Sequence, residues 1–151
     1  MVPVSLAYEP EIGRRLRAVP ARNELAKILK LRAVHDAVQA GWPQRRIAEA
    51  LGVEQPEVSR LAKTARLTPH VCERSPREVL LEHAAGVIDH AAMMRELENW
   101  NYTFGTTDPT GETYLPGTWD QIERAGDLLS DEDYQHLLKI TAARRNAAGR
   151  A

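Results

Sequence analysis

The apolar positions of the chain fall into runs with a helical period, separated by glycines, prolines and capping residues. Leu25, Ile28, Leu31, Val34 and Val38 form one stripe and predict a long helix over residues 21–40, which Gly41 ends. Ile47, Ala48 and Leu51 give a second, shorter helix an apolar face. Pro43 is expected at its first position, where a missing N–H costs nothing. Val58 and Leu61 anchor a third helix at i, i+3 spacing. Between these two helices stands Gly52, where the turn needs a positive φ, and then Val53, which closes the core. Trp42 is expected to pack against the long helix. At the start of the chain Val2, Val4, Leu6 and Tyr8 alternate with other residues, which predicts a short strand or an extended arm. Pro3 argues against a central strand. Glu9, Pro10 and Glu11 predict the start of a brief helix running through Arg17.

Residues 64–75 lack periodicity and contain Pro69, so a domain boundary is expected there, dividing the chain into residues 1–74 and 75–151. Ser75, Pro76, Arg77 and Glu78 read as a capping box with proline at the first helical position. The following helix carries Val79, Leu80, Leu81, Ala84 and Ala85, and Gly86 breaks it. Val87 and Ile88 are expected in the core, with Asp89 capping a helix that carries Ala92, Met93, Leu97 and Trp100. The same grammar recurs 41 residues later, aligning Leu81 with Ile122, Ala84 with Ala125, Ile88 with Leu129, Asp89 with Ser130, Met93 with Tyr134 and Leu97 with Leu138. Two similar helical hairpins follow from this, packing on each other or on a partner. Between them, Asp108, Pro109, Thr110 and Gly111 signal a turn flanked by Tyr102, Phe104 and Tyr114, in a small β-hairpin or an ordered loop. These aromatics, with Trp100 and Trp119, are expected to fill the local core rather than form a binding surface. From Ala142 onward an alanine-rich tail is expected to fray.

Residues 44–63 hold the pattern of a helix-turn-helix, in which one short helix lies in the DNA major groove. Ala48 is small where the helices cross, and the inward anchors leave Glu54, Gln55, Pro56, Glu57, Ser59, Arg60 and Lys63 facing outward. Gln55 suits bidentate pairing with adenine and Arg60 with guanine, while Ser59 faces the same groove. Gln44, Arg45 and Arg46 open the preceding helix, where N–H groups and cations hold phosphates. Glu54 and Glu57 are two acids on a helix that approaches a polyanion, and Glu57 either lies along the helix or accepts from a cytosine amino group. The stretch resembles the helix-turn-helix of the phage-repressor and Xre-type regulators. Residues 76–140 resemble, with weaker motifs, the short accessory modules that follow helix-turn-helix domains in many actinobacterial regulators. That second resemblance implies an accessory or oligomerising segment without assigned catalytic residues.

The net charge of −1 hides an asymmetry. Residues 1–74 hold 13 Lys and Arg against 8 Asp and Glu, a net of +5, whereas residues 75–151 hold 7 against 13, a net of −6. A basic half joined to an acidic half fits a nucleic-acid reader with a separate interaction domain. Arg14, Arg15, Arg17, Arg22, Lys27, Lys30 and Arg32 interrupt their run only with Glu24, and form either a phosphate-contacting surface or a solvated face.

Enzyme constellations do not emerge. No glycine-rich loop follows a strand, and the histidines have no partner arrangement. His70, Cys72, His83 and His90 lack zinc-ligand spacing, so no metal and no cofactor are expected. A single cysteine, Cys72, fits a reducing cytoplasm. The start lacks the features of a signal peptide, and no apolar run approaches a membrane span. The expectation is a mainly α-helical, non-enzymatic chain with an N-terminal helix-turn-helix bundle and a C-terminal helical-hairpin domain. It would be a cytoplasmic regulator that binds double-stranded DNA as a homodimer, most simply a repressor or autorepressor. The alternative is an antitoxin-like module that neutralises a protein partner through its C-terminal half and autoregulates through the helix-turn-helix.

Overall fold

The computed structural model describes residues 9–149, apart from the side chain of Glu9. The alternating stretch Val2 to Tyr8 lies outside the described residues. The fold is mainly α-helical, with one two-stranded antiparallel sheet among the described residues. The first helix, α1, spans Glu9–Gln39. It replaces the brief helix and the separate long helix expected over the same stretch. Pro20 stands inside it. An interior proline removes a backbone hydrogen bond and costs roughly 3 kcal/mol. Ala18 and Ala21 are nevertheless buried on either side of it, and the helix continues without interruption.

Helices α2 (Gln44–Leu51) and α3 (Gln55–Leu67) follow, then a 3₁₀ turn over Pro69–Cys72. The next pair is α4 (Pro76–Ala84) and α5 (His90–Glu98). Strands β1 (Thr106–Thr107) and β2 (Tyr114–Leu115) pair antiparallel, Thr106 opposite Leu115 and Thr107 opposite Tyr114. Helix α6 (Trp119–Glu123), a 3₁₀ turn over Gly126–Leu128 and α7 (Asp131–Ala148) complete the order. The tail expected to fray from Ala142 is helical through Ala148.

Two compact units emerge: Met1–Arg22 with Ser75–Ala151, and Asn23–Arg74. The partition differs from a single cut at residue 74, because the first part of α1 belongs with the C-terminal elements. On this division the formal charges are +3 for Asn23–Arg74 and −4 for the remainder.

In the Asn23–Arg74 unit, Val34 of α1, Ile47 and Ala48 of α2 and Val58 of α3 form the buried core. Ala37, Leu51, Val53, Leu61 and Ala62 pack around it. Val38, expected in the same stripe, is exposed.

The other unit is built around Val79 and Leu80 of α4, Met93, Met94 and Leu97 of α5, Ile122 of α6 and Leu137 of α7. Capping explains where its helices begin. The side chains of Ser75, Asp89 and Ser130 accept from the backbone N–H groups of Glu78, Ala92 and Asp133. Asp89 and Ser130 are the two caps that the 41-residue repeat aligns. The repeat is less faithful in its packing. Val87, expected in the core, is 64% exposed, and it is Leu137 rather than Leu138 that is fully buried.

The loop between the hairpins closes on its aromatics. Tyr102 and Trp119 are buried and meet edge to face, with ring centroids 5.0 Å apart. The Tyr102 hydroxyl donates to the Leu97 carbonyl at 2.6 Å. Asp108 caps the turn by accepting from the Thr110 hydroxyl and the N–H groups of Glu112 and Thr113. Those bonds hold its carboxyl below the usual carboxylate range, the Thr110 hydroxyl most of all. Tyr114 is half-exposed, and its hydroxyl reaches both Asp120 oxygens at 3.0 Å.

Candidate nucleic-acid interface

The turn between α2 and α3 is set by backbone chemistry. Gly52 adopts φ 69° and ψ 33°, the left-handed region that side chains other than glycine seldom occupy. From there the N–H of Val53 reaches the carbonyl of Ala48 at 3.1 Å, and the N–H of Gly52 reaches Glu49 at 3.3 Å. This pair of bonds is a Schellman closure, which satisfies the last carbonyls of α2 and starts the chain toward α3 after three residues. Pro43 precedes α2 rather than opening it: its φ and ψ are −68° and 147°, and its carbonyl accepts from the N–H groups of Arg46 and Ile47. Pro56 lies in the first turn of α3, where the absent N–H has no partner to lose.

Burial of Val58 and Ala65 on one side of α3 orients the remainder. Gln55, Pro56, Ser59, Arg60 and Lys63 are exposed, as is Glu54 immediately before the helix. Arg45 and Arg46 are exposed on α2, and Gln44 is half-buried. Every helix-turn-helix residue expected at a DNA contact therefore lies within a single unit.

The structure groups some of them more closely than others. Gln44, Ser59 and Lys63 line a cleft of about 450 Å³ together with His35 and Gln39 of α1 and Arg66 of α3. Arg66, His35 and Gln39 were not among the expected contacts. Arg66 was detectable, since it follows Ser59 and Lys63 at helical spacing on the same side of α3. His35 and Gln39 were hidden because their stretch reads as an apolar stripe. Arg45, Arg46, Glu54, Gln55, Pro56 and Arg60 do not line that cleft.

Electrostatics settle which acids matter. Lys30 of α1 donates to Glu57 at 2.6 Å, and Arg60 lies 3.9 Å from the same oxygen. The Lys30 hydrogen bond foremost, with the two nearby cations, holds the Glu57 carboxyl below its ordinary value of 4.5. Glu57 is thus bound along the α1 side of the helix. Glu54 accepts no capping hydrogen bond through its side chain. On α2, Arg45 lies 3.8 Å from Glu49, and the guanidinium of Arg46 stacks over Trp42 at 3.7 Å from the ring centroid. Trp42 is 38% exposed, contrary to the expected core position, and serves as a platform that holds Arg46.

The basic run of α1 is not one surface. Lys30 is paired with Glu57, Arg32 donates to the Cys72 carbonyl at 2.8 Å, and Arg22 donates to the Ala85 carbonyl at 3.1 Å in the other unit. Arg14, Arg15 and Arg17 also belong to that other unit.

Among the described residues no helix is long and apolar enough to cross a membrane. In comparisons with known proteins, no family model, no curated protein and no solved structure matches this chain.

Proposed function

We propose that the chain is a sequence-specific, DNA-binding transcriptional regulator, a repressor or autorepressor that acts in the cytoplasm without catalysing a reaction. One observation carries this reading. The Schellman turn at Gly52 joins two helices whose inward faces meet Val34, leaving Gln55, Ser59, Arg60 and Lys63 together on the outer face of α3. That is the arrangement a helix needs to enter a groove about 12 Å wide while the helix before it crosses the backbone. Gln55 and Arg60 present the two side-chain types that pair bidentately with adenine and guanine. Gln44, Arg45, Arg46 and Lys63 supply the phosphate contacts. The positive charge of this unit supports the reading, because neutralising phosphates is the largest sequence-independent contribution to such binding.

One helix of this length reads only a few base pairs, so the functional species is a homodimer on an inverted repeat, with the C-terminal elements providing dimerisation or a protein contact. Selection of bound duplexes from a random pool tests this, followed by measurement of the mass of the complex. The expected product is a two-fold repeat bound by two copies. A pool that shows no enrichment at low and moderate salt overturns the proposal.

A further inference from the structure

We propose that a groove on the unit formed by Met1–Arg22 and Ser75–Ala151 is a docking site for an acidic, amphipathic helix of a partner protein. The groove has a volume of about 580 Å³ and runs along the first part of α1, beside the end of α4. Its apolar wall is Ile12, Leu16 and Val19, which follow one another at i, i+4 and i+7 along the helix. Ala84 and Ala85 lie opposite them. Leu16 is 67% and Val19 is 51% exposed, although the buried Ala18 of the same helix also lines the groove. Val87, two residues beyond Ala85, is 64% exposed. A run of large aliphatic side chains at helical spacing, left open on a folded surface, marks a place for another protein rather than for water.

Charge complementarity identifies the partner. The rim carries Arg14, Arg15 and Arg22 on a unit whose formal net charge is −4. A local positive border on an otherwise acidic body attracts a segment with carboxylates and repels a basic one. The Arg22 guanidinium is fixed in place, since its Nε donates to the Ala85 carbonyl at 3.1 Å. Among the described residues Arg14 pairs with Glu11, at 4.0 Å with both side chains largely exposed, so it is available to an incoming carboxylate. The aliphatic wall distinguishes this groove from a phosphate-binding surface, which has no use for Leu16 and Val19. The shape that satisfies both features is a helix with leucines at i, i+3, i+4 and i+7 and glutamates on its flanks.

The test uses the full chain and a fluorescent helical peptide of that design. Control peptides have lysine in place of glutamate, or the same composition in scrambled order. The acidic peptide should bind, and the lysine and scrambled peptides should not. Leu16→Glu and the double variant Arg14→Glu, Arg15→Glu should each weaken binding by about tenfold or more, the size of a lost hot-spot contact. Leu16→Ile should retain binding, and all variants should keep the parent melting temperature and duplex affinity. Equal binding of the acidic and lysine peptides overturns the proposal. So does competition by random-sequence duplex with no effect of Leu16→Glu, which would make the groove a nucleic-acid surface. Concentration-dependent self-association that Leu16→Glu abolishes also overturns it, since the occupant would then be a second copy of the chain.

Discussion

Lys30 Nζ donates to Glu57 Oε1 at 2.6 Å, joining the long first helix to the helix proposed to read DNA. The pair turns an acid that looked misplaced on a DNA-facing helix into a tether on its inner flank. It follows that Glu57→Gln should not weaken duplex binding. Freeing Lys30 adds a cation near the interface, so affinity should rise slightly and fall more steeply with salt. A base-specific loss at one cytosine, measured on single-substitution duplexes, would show that Glu57 reads sequence instead.

Arg60→Ala and Gln55→Ala should each cost about 1–3 kcal/mol of operator affinity and relax the preference at one base position. Lys63→Ala should act differently, weakening all duplexes alike and reducing the salt slope by about 1. Arg46 is held by Trp42 at 3.7 Å, so Trp42→Ala should reproduce part of the Arg46→Ala loss while leaving melting temperature near the parent value. Fluorescence anisotropy across a salt series separates these outcomes. Unchanged affinity in both Arg60→Ala and Gln55→Ala would remove α3 from the role of recognition helix.

Local signals were the legible ones. Gly52, Ala48 and the Val58 anchor act within a few residues of one another, so spacing alone locates the α2–α3 turn. The caps at Ser75, Asp89 and Ser130 are equally local. Features that depend on distant partners were not legible. The pairing of Lys30 with Glu57 spans 27 residues and that of Arg22 with Ala85 spans 63, and no periodicity announces either. Trp42 shows the limit from the other side: its size argues for burial, yet a cation–π contact with Arg46 gives it a use at the surface. The brief helix through Arg17 and the helix over residues 21–40 are one helix that runs through Pro20, with Ala18 and Ala21 buried on either side.

Between β2 and α6 the chain passes close to Thr103 at Gly117. A Cβ placed there would stand 2.4 Å from the Thr103 carbonyl oxygen, and backbone cannot move aside as a flexible side chain can. The Thr103 carbonyl also accepts from the Trp119 N–H at 3.0 Å, so displacing it disturbs the start of α6. Gly117→Ala should therefore destabilise the chain by about 2 kcal/mol or more, within the range of overpacking in a well-filled site. Gly52→Ala, strained by its positive φ with nothing crowding it, should cost only about 1–2 kcal/mol. Urea denaturation followed by tryptophan fluorescence compares the two, and a larger loss for Gly52→Ala would contradict the ordering.

His83 supplies a pH dependence with a definite sign. Burial lowers its pKa from the ordinary 6.5, and neighbouring His90 lowers it further, against weaker opposing effects of Asp133 and Asp89. Its ring faces that of His90 edge-on, with centroids 6.0 Å apart. A depressed histidine pKa means that the unfolded chain takes up a proton more readily than the folded one. Stability from this residue is therefore complete above the unfolded value near 6.5 and is lost as pH falls through it toward the folded pKa. Replacing His83 with Gln removes the titration while keeping a polar side chain of similar reach. The parent chain should lose melting temperature between pH 7 and pH 5.5, and His83→Gln should lose less over the same interval. His90 pairs with Asp133 at 2.8 Å, so the comparison is made also in His90→Gln, which removes the neighbouring ring and should shrink the His83 effect. Identical slopes in the parent and His83→Gln would assign the acid sensitivity to other groups.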